Sequence, residues 1–246
     1  MLTVPVLRDR RPLLDLCLGR VSLEGSYLEF GCGHQGNSIN YLAERIDATI
    51  HGFDSFEGLP EAWFGELGKG SLSTKGRLPE VRDNVVLHQG WFEETAPAFA
   101  ARHPEPVAFL HVDCDLYSST KTIFDALGDQ VVSGTVIQFD EYFNYPGWQM
   151  HEYKAFQEFV SDGPFDFDYI GCVPSHQQVA KAARYALPSP SFSLRWSTWT
   201  RSSAVERASA AAPVPSGELS STTMISTGSR TCSRMPSIIS RMFSRS

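Results

Sequence analysis

A doubly wound α/β fold, with a mostly parallel sheet and helices on both faces, is what this sequence predicts, and three observations carry the prediction. Short apolar segments alternate with amphipathic stretches of helical length from about Tyr27 onward, the order of consecutive βαβ units. The most apolar segment, Val107 to Val112, follows Pro104 and Pro106 and lacks polar alternation apart from His111, as suits a strand buried on both faces. Acids stand directly after these segments: Asp54, Asp113 with Asp115, and Asp140 with Glu141. Open α/β sheets bind their ligands beyond the carboxyl ends of the strands.

In chain order, Leu13, Leu14, Leu16, Cys17 and Leu18 in a charged frame suggest a short amphipathic helix stopped near Gly19. Tyr27 to Phe30 reads as the first strand, Gly31 to Gly36 as a tight turn, and Ser38 to about Arg45 as a helix capped by Asn37 or Ser38. Thr49 to Phe53 makes a second strand ending at Asp54. Leu59 to Arg82, rich in Gly, Ser and charge with Trp63, Phe64 and Leu67 as anchors, reads as a mobile cover over the sheet edge. Val85 to His88 is a third strand, and Glu93 to Arg102 a helix interrupted early by Pro97. The fourth strand, Val107 to Val112, precedes a helix from Ser119 to Leu127, for which Ser118, Ser119 and Thr120 suit the N-cap. Thr135 to Phe139 is the fifth strand. His151 to Val160 is helical, with Tyr153, Phe156, Phe159 and Val160 on one face and Glu152, Lys154 and Glu158 mostly opposite. Phe165 to Ile170 and Gln177 to Lys181 supply two more short strands.

Length and charge narrow the function. The 246 residues suffice for one large domain plus an appendage. After Leu187 the composition turns to Ser and Arg without apolar period, so 188–246 is expected to be a disordered or out-of-frame tail and 1–187 the domain. Net charge is −7, and the seven Arg beyond Ser189 leave the body more acidic still. An acidic body lacks the electrostatic footprint of a nucleic-acid binder. Five cysteines without Cys-x-x-Cys spacing read as free thiols in a reducing cytoplasm. The charged N-terminus lacks a signal-peptide core, and no run approaches membrane-spanning length.

Gly31-Cys32-Gly33-His34-Gln35-Gly36 matches Gly-x-Gly-x-x-Gly, in which glycines let backbone approach a ligand closely. A tight strand-to-helix turn needs such glycines with or without a ligand. Asp54, followed by Ser55, would accept hydrogen bonds from ribose hydroxyls, or is a solvated acid at a strand end. If the fourth and fifth strands are neighbours, Asp113, Asp115, Asp140 and Glu141 converge. Like charges so close would destabilise the fold unless a cation neutralised them, and oxygen ligands select a hard ion, Mg²⁺ before Mn²⁺ or Ca²⁺. His111, inside a strand, suits a hydrogen-bonded core histidine. Tyr142, Phe143, Tyr145 and Trp148 wall an acceptor pocket or pack under the last helix; both readings stand.

An acid on the first strand followed by Gly-x-Gly resembles the S-adenosylmethionine loop of class I methyltransferases. That likeness places Glu29 near the ligand's amino-acid moiety through water, with Gly31, Gly33, Asp54 and Ser55 also at the cofactor. Phe53-Asp54-Ser55-Phe56-Glu57-Gly58-Leu59-Pro60, His111 to Thr120, and Asp140-Glu141-Tyr142 followed by Pro146-Gly147-Trp148 together resemble the macrocin O-methyltransferase family. The resemblance runs from about Tyr27 to Lys181 and implies a Rossmann-like class I methyltransferase fold. It further implies methyl transfer from S-adenosylmethionine to a hydroxyl of a sugar or glycosylated metabolite. Asp113, Asp140 and Glu141 would hold Mg²⁺, and Asp115 would be the general base. Glu141 stands where family members carry a second Asp. The expected partner is a small-molecule or glycan acceptor, with a homo-oligomer allowed and neither nucleic acid nor membrane involved. A catechol-type phenolic acceptor, an NAD-dependent oxidoreductase and an inactive binding protein are the alternatives.

Overall fold

A computed structural model of the chain describes residues 4–33 and 35–185, so the expected tail, 188–246, lies outside the described residues. One seven-stranded sheet organises the rest, with strands β1 (Ser26–Phe30), β2 (Ile50–Asp54), β3 (Val85–Gln89), β4 (Val107–Val112), β5 (Val136–Phe139), β6 (Phe165–Val173) and β7 (Gln178–Tyr185). Their order is β3-β2-β1-β4-β5-β7-β6. The first five pair in parallel, while β7 runs antiparallel to both β5 and β6. The chain therefore winds outward from β1 to β3, returns to the other side of β1, and leaves a topological switch point between β1 and β4. Every residue of β4 is buried, which is why its sequence shows no alternation.

Helices cover both faces. On one, α1 (Arg10–Leu18) and α2 (Asn37–Ala43) bury Leu13, Leu14, Cys17, Ile39 and Leu42 against Phe109 and Val136. On the other lie α3 (Phe92–Ala100), α4 (Tyr117–Leu127) and α5 (Glu152–Asp162). There Phe99 meets Phe53 edge-on, and Phe124 and Phe156 pack on Phe139. Full burial of a Phe or Leu side chain contributes about 1.5–3 kcal/mol, so these layers are the main source of stability. Pro97 lies inside α3 without ending it.

Three expected details differ. Neither Asn37 nor Ser38 caps α2; Gly36 does so in a left-handed conformation, because the Ser38 hydroxyl donates instead to Glu29. Leu116 is the cap of α4 and no side chain serves it; Ser118 reaches across to Glu61, and Thr120 donates back to the Leu116 carbonyl. Gln177 is not in a strand but turns the chain at φ +60°, and its carbonyl accepts from the Tyr142 amide. The remaining elements match the expected ones to within a few residues.

The α3 face carries a histidine cluster with a pH consequence. His51 Nδ1 lies 3.0 Å from His88 Nε2, and the His51 and His103 rings are 5.1 Å apart. Burial, then the neighbouring imidazoles, lowers His51 to about 4, and burial likewise lowers His88. An unfolded His titrates near 6.5, so the unfolded chain binds more protons below that value. The cluster's contribution is complete above pH 6.5 and is lost as pH falls toward 4. Melting curves at pH 7.5 and 5.0 should show His51→Phe losing less Tm on acidification than the parent chain, by roughly 2–4 °C. An unchanged slope would sink the assignment.

Candidate active site

The loops that leave β1 and β4 meet at the switch point. The Asp113 amide donates to the Phe30 carbonyl and the Gly31 amide to that of Phe53, both at 2.9 Å. Gly31 has φ +97°, and a Cβ there would lie 1.6 Å from the Asp113 carbonyl oxygen. Only glycine allows this approach. Gly33 (φ +60°) has nothing within 4 Å of a would-be Cβ, so its backbone borders open space.

That space is a cavity of about 400 Å³, lined by both halves of the expected site. Gly31, Gly33, Asp54 and Ser55 line it on one side, and Asp113, Asp115, Asp140 and Glu141 on the other. Asp54 shapes the turn: Oδ2 accepts from the Gly33 amide at 3.0 Å and Oδ1 from the Phe56 amide at 2.7 Å. Ser55 Oγ accepts from the Glu57 amide at 3.1 Å.

Glu29 is placed differently from these four. It is fully buried and does not line the cavity; its carboxylate accepts from Ser38 at 2.8 Å and pairs with His111 Nδ1 at 3.0 Å. Strand register explains this, because Glu29 stands opposite His111, and His111 opposite Gln138, on adjacent strands. Glu29 thus ties α2 and β4 beneath the glycine turn, while His111 is the hydrogen-bonded core residue expected.

The acids are drawn together by two turns. Asp115 sits in the left-handed region (φ +66°), and the Leu116 amide bonds the Cys114 carbonyl across it. Ligand oxygens of Asp113, Asp115 and Glu141 come within 4.8 Å of one another, as do separately those of Asp113 and Asp140 with a nitrogen of His111. The expected trio of Asp113, Asp140 and Glu141 is thus spread over two overlapping sets that share Asp113. His111 Nε2 stands 3.8 Å from Asp140 Oδ1, and both Nε2 and Glu141 Oε2 are buried without a hydrogen-bond partner among the described residues.

Charge crowding shows in the protonation equilibria. Burial, reinforced by Asp140, pushes Asp113 and Glu141 well above the usual carboxylate range. Burial raises Asp115 to about 6. Asp140 would be raised by burial too, but His111 and Arg10 outweigh it and hold the carboxyl low. Burial acts to lower His111, yet Asp140 and Glu29 raise it to about 10. The orphaned Glu141 Oε2 amid mutually repelling carboxylates fits an oxygen-rich site for a hard divalent ion, while His111, held protonated, stands beside it as a positive charge and offers no lone pair at Nε2.

Three polar partners of this cluster carry no signal in the sequence pattern. Glu152, assigned by helical periodicity to an outward face, is fully buried. Its two oxygens accept from the backbone amides of Asp115 (3.3 Å) and Glu141 (3.2 Å), so one side chain sets both acid turns. Gln178 donates to Asp140 Oδ1, and Arg10 to Asp140 Oδ2. Trp63, Leu72, Trp91 and Phe92 also line the cavity. The 59–82 segment covers it as expected, folded back through bonds such as Leu59 amide to Ser71 carbonyl and Gly70 amide to Leu59 carbonyl. Tyr142 does not wall the cavity but packs among Phe139, Tyr153 and Phe156, and Tyr145 packs on Trp63.

Comparison with known proteins agrees with this architecture. Residues 28–142 match the family model described as a methyltransferase domain. A crystal structure of CalS11, a calicheamicin methyltransferase, superposes with a TM-score of 0.60 at 22 % identity, covering 70 % of this chain and 77 % of that one. The apo structure of CalS11, named there a TDP-rhamnose 3'-O-methyltransferase, gives 0.52 at 23 % identity, covering 70 % and 78 %. The O-methyltransferase NovP gives 0.49 at 23 % identity, covering 72 % and 78 %. No curated protein matches the sequence. The fold is that of the Rossmann-like class I methyltransferases.

Proposed function

We propose that the chain is an O-methyltransferase that moves a methyl group from S-adenosylmethionine to a hydroxyl of a sugar or glycosylated small molecule in the cytoplasm. One observation carries the reading: the glycine turn with Asp54 and the four acids Asp113, Asp115, Asp140 and Glu141 open into a single cavity. A nicotinamide-dependent oxidoreductase would account for the turn and leave the acids without a task. The match of residues 28–142 to a methyltransferase domain supports the donor. The sugar acceptor draws on the motif resemblance and on the substrate named for CalS11.

Asp113, Asp140 and Glu141 are the residues assigned to a divalent cation, Mg²⁺ in the first instance. When bound, the cofactor supplies a methyl group already activated on a sulfonium, and the ion lowers the pKa of the acceptor hydroxyl. The chain's own task is then alignment and proton removal. Gly31, closed against the Asp113 carbonyl, and Gly33, with open space beyond it, line the cavity where the donor would lie, and Asp54 presents remaining acceptor capacity toward it. Asp115, raised by burial to about 6, lies in the range where a carboxylate is an effective base near neutral pH. It would take the hydroxyl proton as the oxygen bonds to the methyl carbon and the carbon–sulfur bond breaks, its electron pair staying on the sulfur of the departing thioether. Glu152 keeps Asp115 and Glu141 facing one another through their amides. The 59–82 segment excludes water from that side.

Calorimetric titration with S-adenosylmethionine and with NAD, each with and without Mg²⁺, tests the reading. S-adenosylmethionine is expected to bind and NAD not; the opposite result would overturn it. With a sugar acceptor, rigorous chelation by EDTA should lower turnover at least a hundred-fold and Mg²⁺ restore it, while donor binding survives. Undiminished turnover after chelation would remove the cation from the scheme.

A further inference from the structure

Arg10 is the first residue of α1, and its amide is capped by Asp9 at 2.6 Å. The helix is fixed to the sheet: Leu13, Leu14 and Cys17 are buried, Cys17 Sγ lies 3.5 Å from Gln138, and Leu13 and Leu16 press on Gly171. From this anchored backbone the guanidinium crosses into the cavity. It donates to Asp140 Oδ2 and lies 3.9 Å from Asp113 Oδ2. Asp140 Oδ1 is already engaged by Gln178, so Arg10 holds the oxygen that Asp140 has left to offer. Three buried or part-buried acids act on Arg10, namely Asp140, Asp113 and Glu141, and Asp115 and Glu152 belong to the same cluster. Beside Arg10, only His111 among the described residues pairs with any of them as a cation.

We infer that Arg10 is a resident counter-ion of the acidic cluster: it neutralises Asp140 and Asp113 until a divalent cation takes them, and it sets the affinity for that cation by competing with it. The inference rests on the cation reading given above. Guanidinium and metal ion are like charges that seek the same carboxylates, Asp140 and Asp113, so occupancy by one disfavours the other. The Arg10 side chain is 37 % exposed, so it can withdraw toward solvent while α1 stays seated. Removing its charge therefore acts on the two states unequally. The cation-free chain loses the partner that screens its carboxylates, whereas the cation-bound chain loses nothing that it uses.

The test measures Mn²⁺ binding by electron paramagnetic resonance, and Tm with and without saturating Mn²⁺, on the full chain without S-adenosylmethionine or acceptor. Arg10→Gln should bind Mn²⁺ at least ten-fold more tightly than the parent chain. Its Tm should fall without Mn²⁺ and return to within about 1 °C of the parent value with it. Arg10→Lys, which keeps a charge without the planar fork, should lie between the two and covers the case in which the Gln variant does not fold. Equal affinities, weaker binding by Arg10→Gln, or a Tm loss that Mn²⁺ leaves in place would overturn the inference and leave the cation site standing. If neither the parent nor a variant binds Mn²⁺, the cation site itself falls, and the inference with it.

Discussion

Asp115→Asn should lower turnover by about three orders of magnitude, within the roughly 10²–10⁴ range for removing a positioned base. Its affinities for S-adenosylmethionine and Mn²⁺ should stay within about three-fold of the parent values. The substitution isolates proton transfer because it changes little else. Asp115 is at φ +66°, a region that Asn enters as readily as Asp, and the Asp115 amide can still donate to Glu152. The volume is the same, so the Cys114–Leu116 turn has no reason to move. Asp113→Asn is the complementary case. Asp113 belongs to both overlapping ligand sets and should lose turnover and Mn²⁺ binding together. Because Asp115 also comes within ligand distance of Asp113 and Glu141, the pair decides between base and ligand. Mn²⁺ affinity lost in Asp115→Asn and kept in Asp113→Asn would exchange their roles.

What the sequence shows of this site, and what it hides, follows from how each residue is placed. Val107 to Val112 announces a central strand because burial on both faces removes polar alternation, and Asp113, Asp54 and Asp140 are legible because strand ends in a parallel sheet share one edge. Glu29 is visible as an acid before glycines, yet its partner depends on the register that sets it beside His111, which no local pattern encodes. Glu152 is misread for a similar reason. Helical periodicity assigns an acid to solvent, but this one finds the amides of Glu141 and Asp115, 11 and 37 residues away in sequence, and satisfied hydrogen bonds make its burial tolerable. Arg10 reads as one charge among several in the frame of an N-terminal helix. Its role emerges only when α1 packs on the sheet and aims it at residues 103 and 130 positions away. Capping shows the same limit: Ser38 has the right chemistry for the start of α2, and a buried carboxylate claims its hydroxyl first.

Gly31→Ala should abolish S-adenosylmethionine and Mn²⁺ binding together and lower Tm by more than 10 °C, or leave the chain insoluble. The methyl group would sit 1.6 Å from the Asp113 carbonyl oxygen and 2.7 Å from its carbon. Both obstacles are backbone atoms of Asp113, directly after β4, so no side chain can rotate to make room. Relief requires the ends of β1 and β4 to part, which breaks the 2.9 Å bond from the Asp113 amide to the Phe30 carbonyl. It also shifts Asp113 away from Asp140. The left-handed conformation adds about 1–2 kcal/mol, the smaller part of the effect. Gly33→Ala separates the two contributions. Its φ of +60° carries the same conformational cost, but no atom lies within 4 Å of the new methyl, which points into open space beside the cavity. That variant should stay folded with a Tm loss of a few degrees, keep its Mn²⁺ affinity, and bind S-adenosylmethionine at least ten-fold more weakly. Comparable losses in both variants would mean that glycine serves only the turn at both positions. Divergence of the two would show that Gly31 joins the donor loop to the acid loop, while Gly33 keeps space for the donor.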